Sequence, residues 1–147
     1  GADPANIATH LYENRSFEAV SLMRLALDTL EISSDGEIGW ITVTREMLGE
    51  DPWIGQHSED IIRFPRMIKS VKLAVLFREI ESEKTKASFR SRDDIDASYI
   101  ASLFGGGGHA RAAGCTIDSP LVEAKAEVLS TAAKMLSTQR GSESPPI

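Results

Sequence analysis

GGGGHARAAGC, residues 105–115, is the stretch on which the reading of this 147-residue chain turns. Glycine orders at a larger backbone-entropy cost than any other residue, so four in succession are expected outside helices and strands, as a loop. Ile100, Leu103 and Phe104 repeat at helical spacing just before them, so a helix leads into the loop. That order excludes the dinucleotide-binding fingerprint, whose glycines follow a strand and open a helix. No Lys-Ser or Lys-Thr follows, which excludes a phosphate-binding P-loop. Consecutive glycines let backbone N–H groups turn toward one point and form a concave anion site. His109 and Arg111 add donors at its edge, and Ala112, Ala113 and Gly114 keep its floor narrow. Flexible linkers, by contrast, are usually rich in both glycine and serine.

Working back from the loop, Asp94 or Asp96 is placed to cap the helix that ends in it. Asp93, Asp94 and Asp96 suggest a hard cation, but acids at a helix N-terminus are stabilised by its dipole, and they are read as structural. KASFRS (86–91) alternates and is the expected hairpin partner of VKLAVLF (71–77), an almost wholly apolar run fit for a central strand. Residues 81–84 make the charged turn between them. Alternation puts Ser88, Arg90 and Arg92 on one face and Phe89 and Ser91 on the other. An arginine fork suits a phosphate, and Arg78 lies within reach across the hairpin. A cationic strand face is commonplace by itself; beside the glycine loop it becomes a candidate site.

The remaining elements follow the same rules. Asp3-Pro4 starts a helix with Ile7, Ala8 and Leu11 on its face. Val20, Met23, Leu27 and Leu30 mark a second helix with those residues in the core. Residues 33–36 (SSDG) form a turn, IGWITV (38–43) a strand, and Thr44 caps a brief helix through Leu48. GEDPWIGQHS (49–58) reads as a loop, and Ser58 as the cap of a short helix stopping before Pro65. A short strand lies around Cys115–Ile117, and Pro120 opens a last helix bearing Leu121, Val128, Leu129, Ala132 and Leu136. The expected fold is α/β (α+β): one compact domain with a mixed sheet of about four to five strands flanked by helices. Residues 1–30 are a helical lead-in, 31–139 the domain proper and 140–147 a disordered tail.

Net charge is −6, against a general nucleic-acid coat. Yet residues 61–116 hold ten Lys/Arg and six Asp/Glu, so the middle of the chain is fit to meet an anion. The single cysteine, Cys115, forbids an internal disulfide and fits a reducing cytoplasm; it is expected to be buried. No apolar run approaches a membrane span and the polar N-terminus shows no signal-peptide pattern. His10 and His57 stand without metal-ligand spacing, and no H-E-x-x-H, C-x-x-C or G-x-S-x-G occurs. A phosphate pocket is legible; a nucleophile, a base or a metal cage is not.

FGGGGHARAAGC resembles the signature of the DHHA1 domain, the C-terminal half of DHH-family phosphoesterases. GWITVTREML, FPRMI, VKLAVLFRE, SFRS and IDASYIASLFGGGGHARAAG resemble successive family segments, and GADPANIATHLYEN the segment leading in from the catalytic lobe. The subgroup it most resembles is that of the bifunctional oligoribonucleases and 3′-phosphoadenosine-5′-phosphate phosphatases. The resemblance implies an N-terminal DHH lobe of the same protein that binds two manganese ions. This sequence has no Asp-His-His, so the expected role of this half is substrate binding, with no catalytic or metal residue of its own. Gly106, Gly107, Gly108 and His109 match the phosphate-holding loop. Arg90 and Ser91 match strand positions that grip phosphate or sugar, and Arg78 an arginine beside the nucleotide. The implied partners are short RNA or a nucleotide bisphosphate and the DHH lobe, with no membrane. A homodimer formed through that lobe is compatible with the resemblance. Asp60 and Arg63 depart from the subgroup, which carries a small residue and an amide there. Two other readings stay open: a parent acting on cyclic dinucleotides or single-stranded DNA, and a non-catalytic RNA-binding or dimerising module such as the related domain that closes alanyl-tRNA synthetases.

Overall fold

The computed structural model describes residues 3–5, 15–50 and 58–142. Helix α1 (Phe17–Leu27) leads into β1 (Glu31–Ile32), β2 (Ile38–Val43) and α2 (Arg45–Leu48). A 3-10 turn (Ser58–Ile62) continues into α3 (Arg63–Arg66). The hairpin of β3 (Leu73–Glu81) and β4 (Lys84–Ser91), α4 (Ala97–Ser102), the hairpin of β5 (Gly107–His109) and β6 (Ala112–Ile117), and α5 (Leu121–Ser142) complete the chain. Six strands form one sheet in the order β1-β2-β3-β4-β6-β5. β2 and β3 run parallel, and the other neighbouring pairs antiparallel.

The expected mixed α/β class is therefore the observed one, with six strands in place of four to five. The two additional strands carry no apolar alternation: β1 has two residues, both exposed, and β5 is built from glycines. The glycine run was expected wholly outside regular structure. Instead Gly107 and Gly108 pair with Gly114 and Ala113 in the sheet.

Alternation along the strands makes two cores. Leu73, Val75, Phe77, Ala87, Phe89, Ala113 and Cys115 face α4 and α5, where Ile100, Ala124, Val128, Ala132 and Leu136 meet them. Ile41, Val43, Ala74 and Leu76 point the other way, to Leu22 and Ala26 of α1 and to Ile61 and Ile62. The second core contains no residue of β4, β6 or β5. Half of that sheet face is thus left for polar chemistry.

Local signals account for most element ends. Ser16, Thr44 and Asp96 accept backbone N–H bonds as N-caps of α1, α2 and α4, each satisfying a donor that the first turn leaves unpaired. Two expectations fail. Pro65 lies inside α3 instead of stopping a helix before it; in a first turn its missing N–H costs nothing. Val20 and Leu27 are 53% and 40% exposed, because α1 turns Leu22 and Ala26, one helical turn apart, to the sheet, with Met23 and Leu30 beside them. Helix α5 continues through Arg140, which pairs with Asp35 and Glu37, to Ser142. Ile7, Ala8, Leu11, His10 and His57 lie outside the described residues. No helix among the described residues is long and apolar enough to cross a membrane.

Candidate substrate-binding shelf

The four glycines perform different tasks. Gly105, at φ +78°, ends α4: its N–H bonds to Ser102 O at 3.1 Å and that of Gly106 to Ala101 O at 2.9 Å, the paired bonds of a Schellman stop. Gly106 is pressed against β6, where a Cβ would stand 2.2 Å from Gly114 O and 2.6 Å from the Cys115 Cβ. Gly108, at φ +146°, would place a Cβ 2.6 Å from Ala113 Cα. Gly107 opens outward, with nothing within 4 Å of the position a Cβ would take, as at Gly105 but without the positive φ. The small residues of AAG are the other side of this contact: only Ala and Gly let β5 lie so close.

Register then brings the candidate residues together. Arg90 pairs with Ala112, and Ala112 with His109, so Arg90, Ala112 and His109 form one row across three strands. The next row is Ser88, Gly114 and Gly107, and the one beyond it Arg78, Lys86 and Thr116. All point to the half of the face without residues of the second core, where Ser88 lies 4% exposed beneath the Glu59 carboxylate. The result is a shelf with a floor of glycine and alanine, walled by Arg90 on one side and His109 on the other. Two strand spacings separate those walls, about 10 Å, enough for a phosphate between them. His109 is exposed and Arg90 half-buried. One guanidinium N–H of Arg90 donates to Phe89 O at 2.9 Å, which fixes the fork and leaves most of its five donors for an anion.

Glu59 borders the shelf. Its carboxylate accepts from Ser88 Oγ at 2.8 Å and pairs with Lys86 Nζ at 2.9 Å. Burial alone pushes its pKa up, but the bonds from Lys86 and Ser88 and the charges of Lys86 and Arg78 outweigh it and hold the carboxyl below its ordinary value. Sequence reading missed Glu59, because nothing in one chain marks a glutamate whose partners lie 27 and 29 residues away.

Ser91 does not join the others. It lies on the opposite face, 3% exposed, and its hydroxyl donates to Ala110 O at 2.9 Å. With the Ser91 N–H on Arg111 O and the Ala97 N–H on Ala110 O, it ties down the tip of the β5–β6 hairpin. Arg92 falls beyond the end of β4 and its guanidinium bonds to Arg66 O. Arg111 is exposed and reaches Ile95 O at 3.4 Å. Asp60 and Arg63 pair at 3.6 Å, and Asp60 also pairs with Arg15, tying the start of α1 to the 3-10 turn. Among the described residues no group of three or more His, Cys, Asp or Glu is arranged to hold a metal ion. Asp96 serves as a helix cap, bonding Ser98 and Tyr99 N–H groups.

Residues 42–139 match the DHHA1 domain family. The chain belongs to the DHHA1 domain family. This DHHA1 domain is 38% identical over 79 residues to the bifunctional oligoribonuclease and PAP phosphatase NrnA of Thermus thermophilus, a match covering 54% of this chain and 24% of that protein. It superposes with a TM-score of 0.81 and 29% identity on an exopolyphosphatase-related protein from Bacteroides fragilis, over 92% of this chain and 39% of that one. The pGpG-specific phosphodiesterase PggH of Vibrio cholerae shares the fold at a TM-score of 0.51 and 14% identity, over 97% of this chain and 44% of that one. The matches thus span about a quarter to under half the length of these relatives.

Proposed function

We propose that this DHHA1 domain is the substrate-binding half of a phosphoesterase that degrades very short RNA and 3′-phosphoadenosine-5′-phosphate in the cytoplasm. The Arg90–Ala112–His109 row carries the reading, since it offers one phosphate-sized gap between a fixed guanidinium and an imidazole, over a floor that admits close approach. The relative NrnA is named for those two activities, which favours this substrate class. Cleavage falls to a DHH lobe elsewhere in the polypeptide, where two manganese ions would activate water; the shelf holds the substrate phosphate toward it. Arg78 stands beside the bound nucleotide, and the backbone of Gly106, Gly107 and Gly108 lines the phosphate.

The test is calorimetric titration of the chain with a 5′-phosphorylated diadenylate and with 3′-phosphoadenosine-5′-phosphate. Saturable binding of both, lost in His109→Ala and in Arg90→Ala, is expected. Equal affinity in all three proteins removes the shelf as the binding site. Binding that fades with salt identically in every variant marks nonspecific attraction instead.

A further inference from the structure

Glu59 has no part in holding a phosphate, yet its carboxylate stands on the shelf, charged and a third exposed. It occupies Lys86 Nζ at 2.9 Å, lies within the field of Arg78, and takes the hydroxyl hydrogen of Ser88 at 2.8 Å. Row by row, the shelf is therefore uneven. The row of Arg90 and His109 has no carboxylate bonded to it among the described residues. In the rows of Ser88 and Lys86 the cations already face an anion. Ser88, 4% exposed, is spent on holding Glu59, so the acceptor that faces outward in these rows is the Glu59 carboxylate itself.

We infer that Glu59 sets the ligand class of the shelf: it confines phosphate to the Arg90–His109 row and gives the adjoining rows to an uncharged, hydrogen-bond-donating group such as a ribose. The inference rests on the proposed function and sharpens it. A run of consecutive phosphates laid across the shelf would bring its second phosphate against the Glu59 carboxylate, and like charges brought together at a binding surface exclude the wrong partner. A nucleotide presents one phosphate followed by sugar hydroxyls, which suits an acceptor-lined row.

The experiment compares two probes at fixed ionic strength, 5′-phosphorylated diadenylate and inorganic tripolyphosphate, on the unaltered chain, Glu59→Gln, Glu59→Asp and Ser88→Ala. The unaltered chain is expected to prefer diadenylate. Glu59→Gln frees Lys86, so tripolyphosphate gains about fivefold in affinity while diadenylate gains nothing, and the salt dependence of tripolyphosphate binding steepens by about one counterion. Glu59→Asp keeps the unaltered preference, and Ser88→Ala, which removes the bond that holds Glu59, lessens that preference in the direction of Glu59→Gln. A melting curve for each variant separates these effects from misfolding. Glu59→Gln shifting both ligands by the same factor overturns the inference and leaves the proposed function standing. An unaltered chain that binds neither probe overturns both.

Discussion

Arg90 and His109 face each other across Ala112, three residues in one row of three neighbouring strands. They are 19 positions apart in the chain, and the row exists because β6 enters the sheet between the strands that carry them. The smallest chiral side chain separates a fork of donors from an imidazole. A larger residue at 112 would fill the gap.

This relationship predicts a graded set of affinities. Arg90→Ala removes charge-assisted donors and is expected to cost about 2 kcal/mol of binding to a phosphorylated dinucleotide. Arg90→Lys restores the charge without the fork and recovers only part of the loss. Ala112→Leu leaves both partners intact and abolishes binding by occupying the gap. Titration of the three variants checks this; an Ala112→Leu protein that folds and binds as tightly as the unaltered chain refutes the row as the phosphate site.

The glycines separate stability from binding. Gly108→Ala places a Cβ 2.6 Å from Ala113 Cα at a φ of +146°, and is expected to destabilise the domain by about 2 kcal/mol or more. Gly107→Ala meets nothing within 4 Å. Its stability should change by under about 1 kcal/mol, while its methyl group rises from the floor of the shelf and weakens ligand binding. Denaturant unfolding and titration of both variants distinguish the two roles. Similar stabilities would contradict the close β5–β6 contact.

Most of the fold is legible where a pattern is local and repeated. IGWITV is a strand with the bounds expected, since β-branched and aromatic residues crowd that short run. Helix α4 follows from its apolar spacing, while the choice of Asp96 over Asp94 as its cap is made by the structure. Strand β5 was not legible: glycine carries no side chain, so its pairing is fixed by what β6 lacks, namely any Cβ large enough to hold it off. The outward turn of α1 was hidden for a related reason. Val20 and Leu27 are as apolar as Leu22 and Ala26, and only the sheet decides which pair is buried. For the site, alternation correctly put Ser88 and Arg90 together and Ser91 opposite. Glu59 comes from a separate segment, and no local pattern ties it to Lys86 and Ser88.

Ser91 is expected to act through the hairpin and not on the ligand. Its hydroxyl bonds Ala110 O at 2.9 Å on the buried face, so Ser91→Ala should cost about 1 kcal/mol of stability. Amide hydrogen exchange should quicken at Arg111 and Ala112 before the rest of the sheet. Ser91→Thr, which keeps the hydroxyl, should restore protection there. A Ser91→Ala variant with unchanged stability and exchange but weakened ligand binding would return Ser91 to direct contact.

Cys115 supplies a prediction at high pH. The thiol is 5% exposed on the face packed by α4 and α5, and burial pushes its pKa up from 9.0 to about 11. Between those values the unfolded chain releases the proton and the native chain keeps it. The native state then holds more protons, so the contribution of this group to stability falls as pH rises. Relative to Cys115→Ala, the unaltered chain should lose about 2 kcal/mol between pH 9 and 11, about 1 kcal/mol per unit across the window. Below pH 8 the difference between the two proteins should be flat. A thiol reagent at pH 8 should modify Cys115 only at the rate of unfolding, because the thiolate that reacts is both buried and scarce. Denaturant unfolding across this pH range measures the first effect and labelling kinetics the second. A pH-independent difference between the two proteins, with labelling as fast as in a free thiol, would place Cys115 at the surface and break the register that sets Ala113 and Cys115 opposite the shelf.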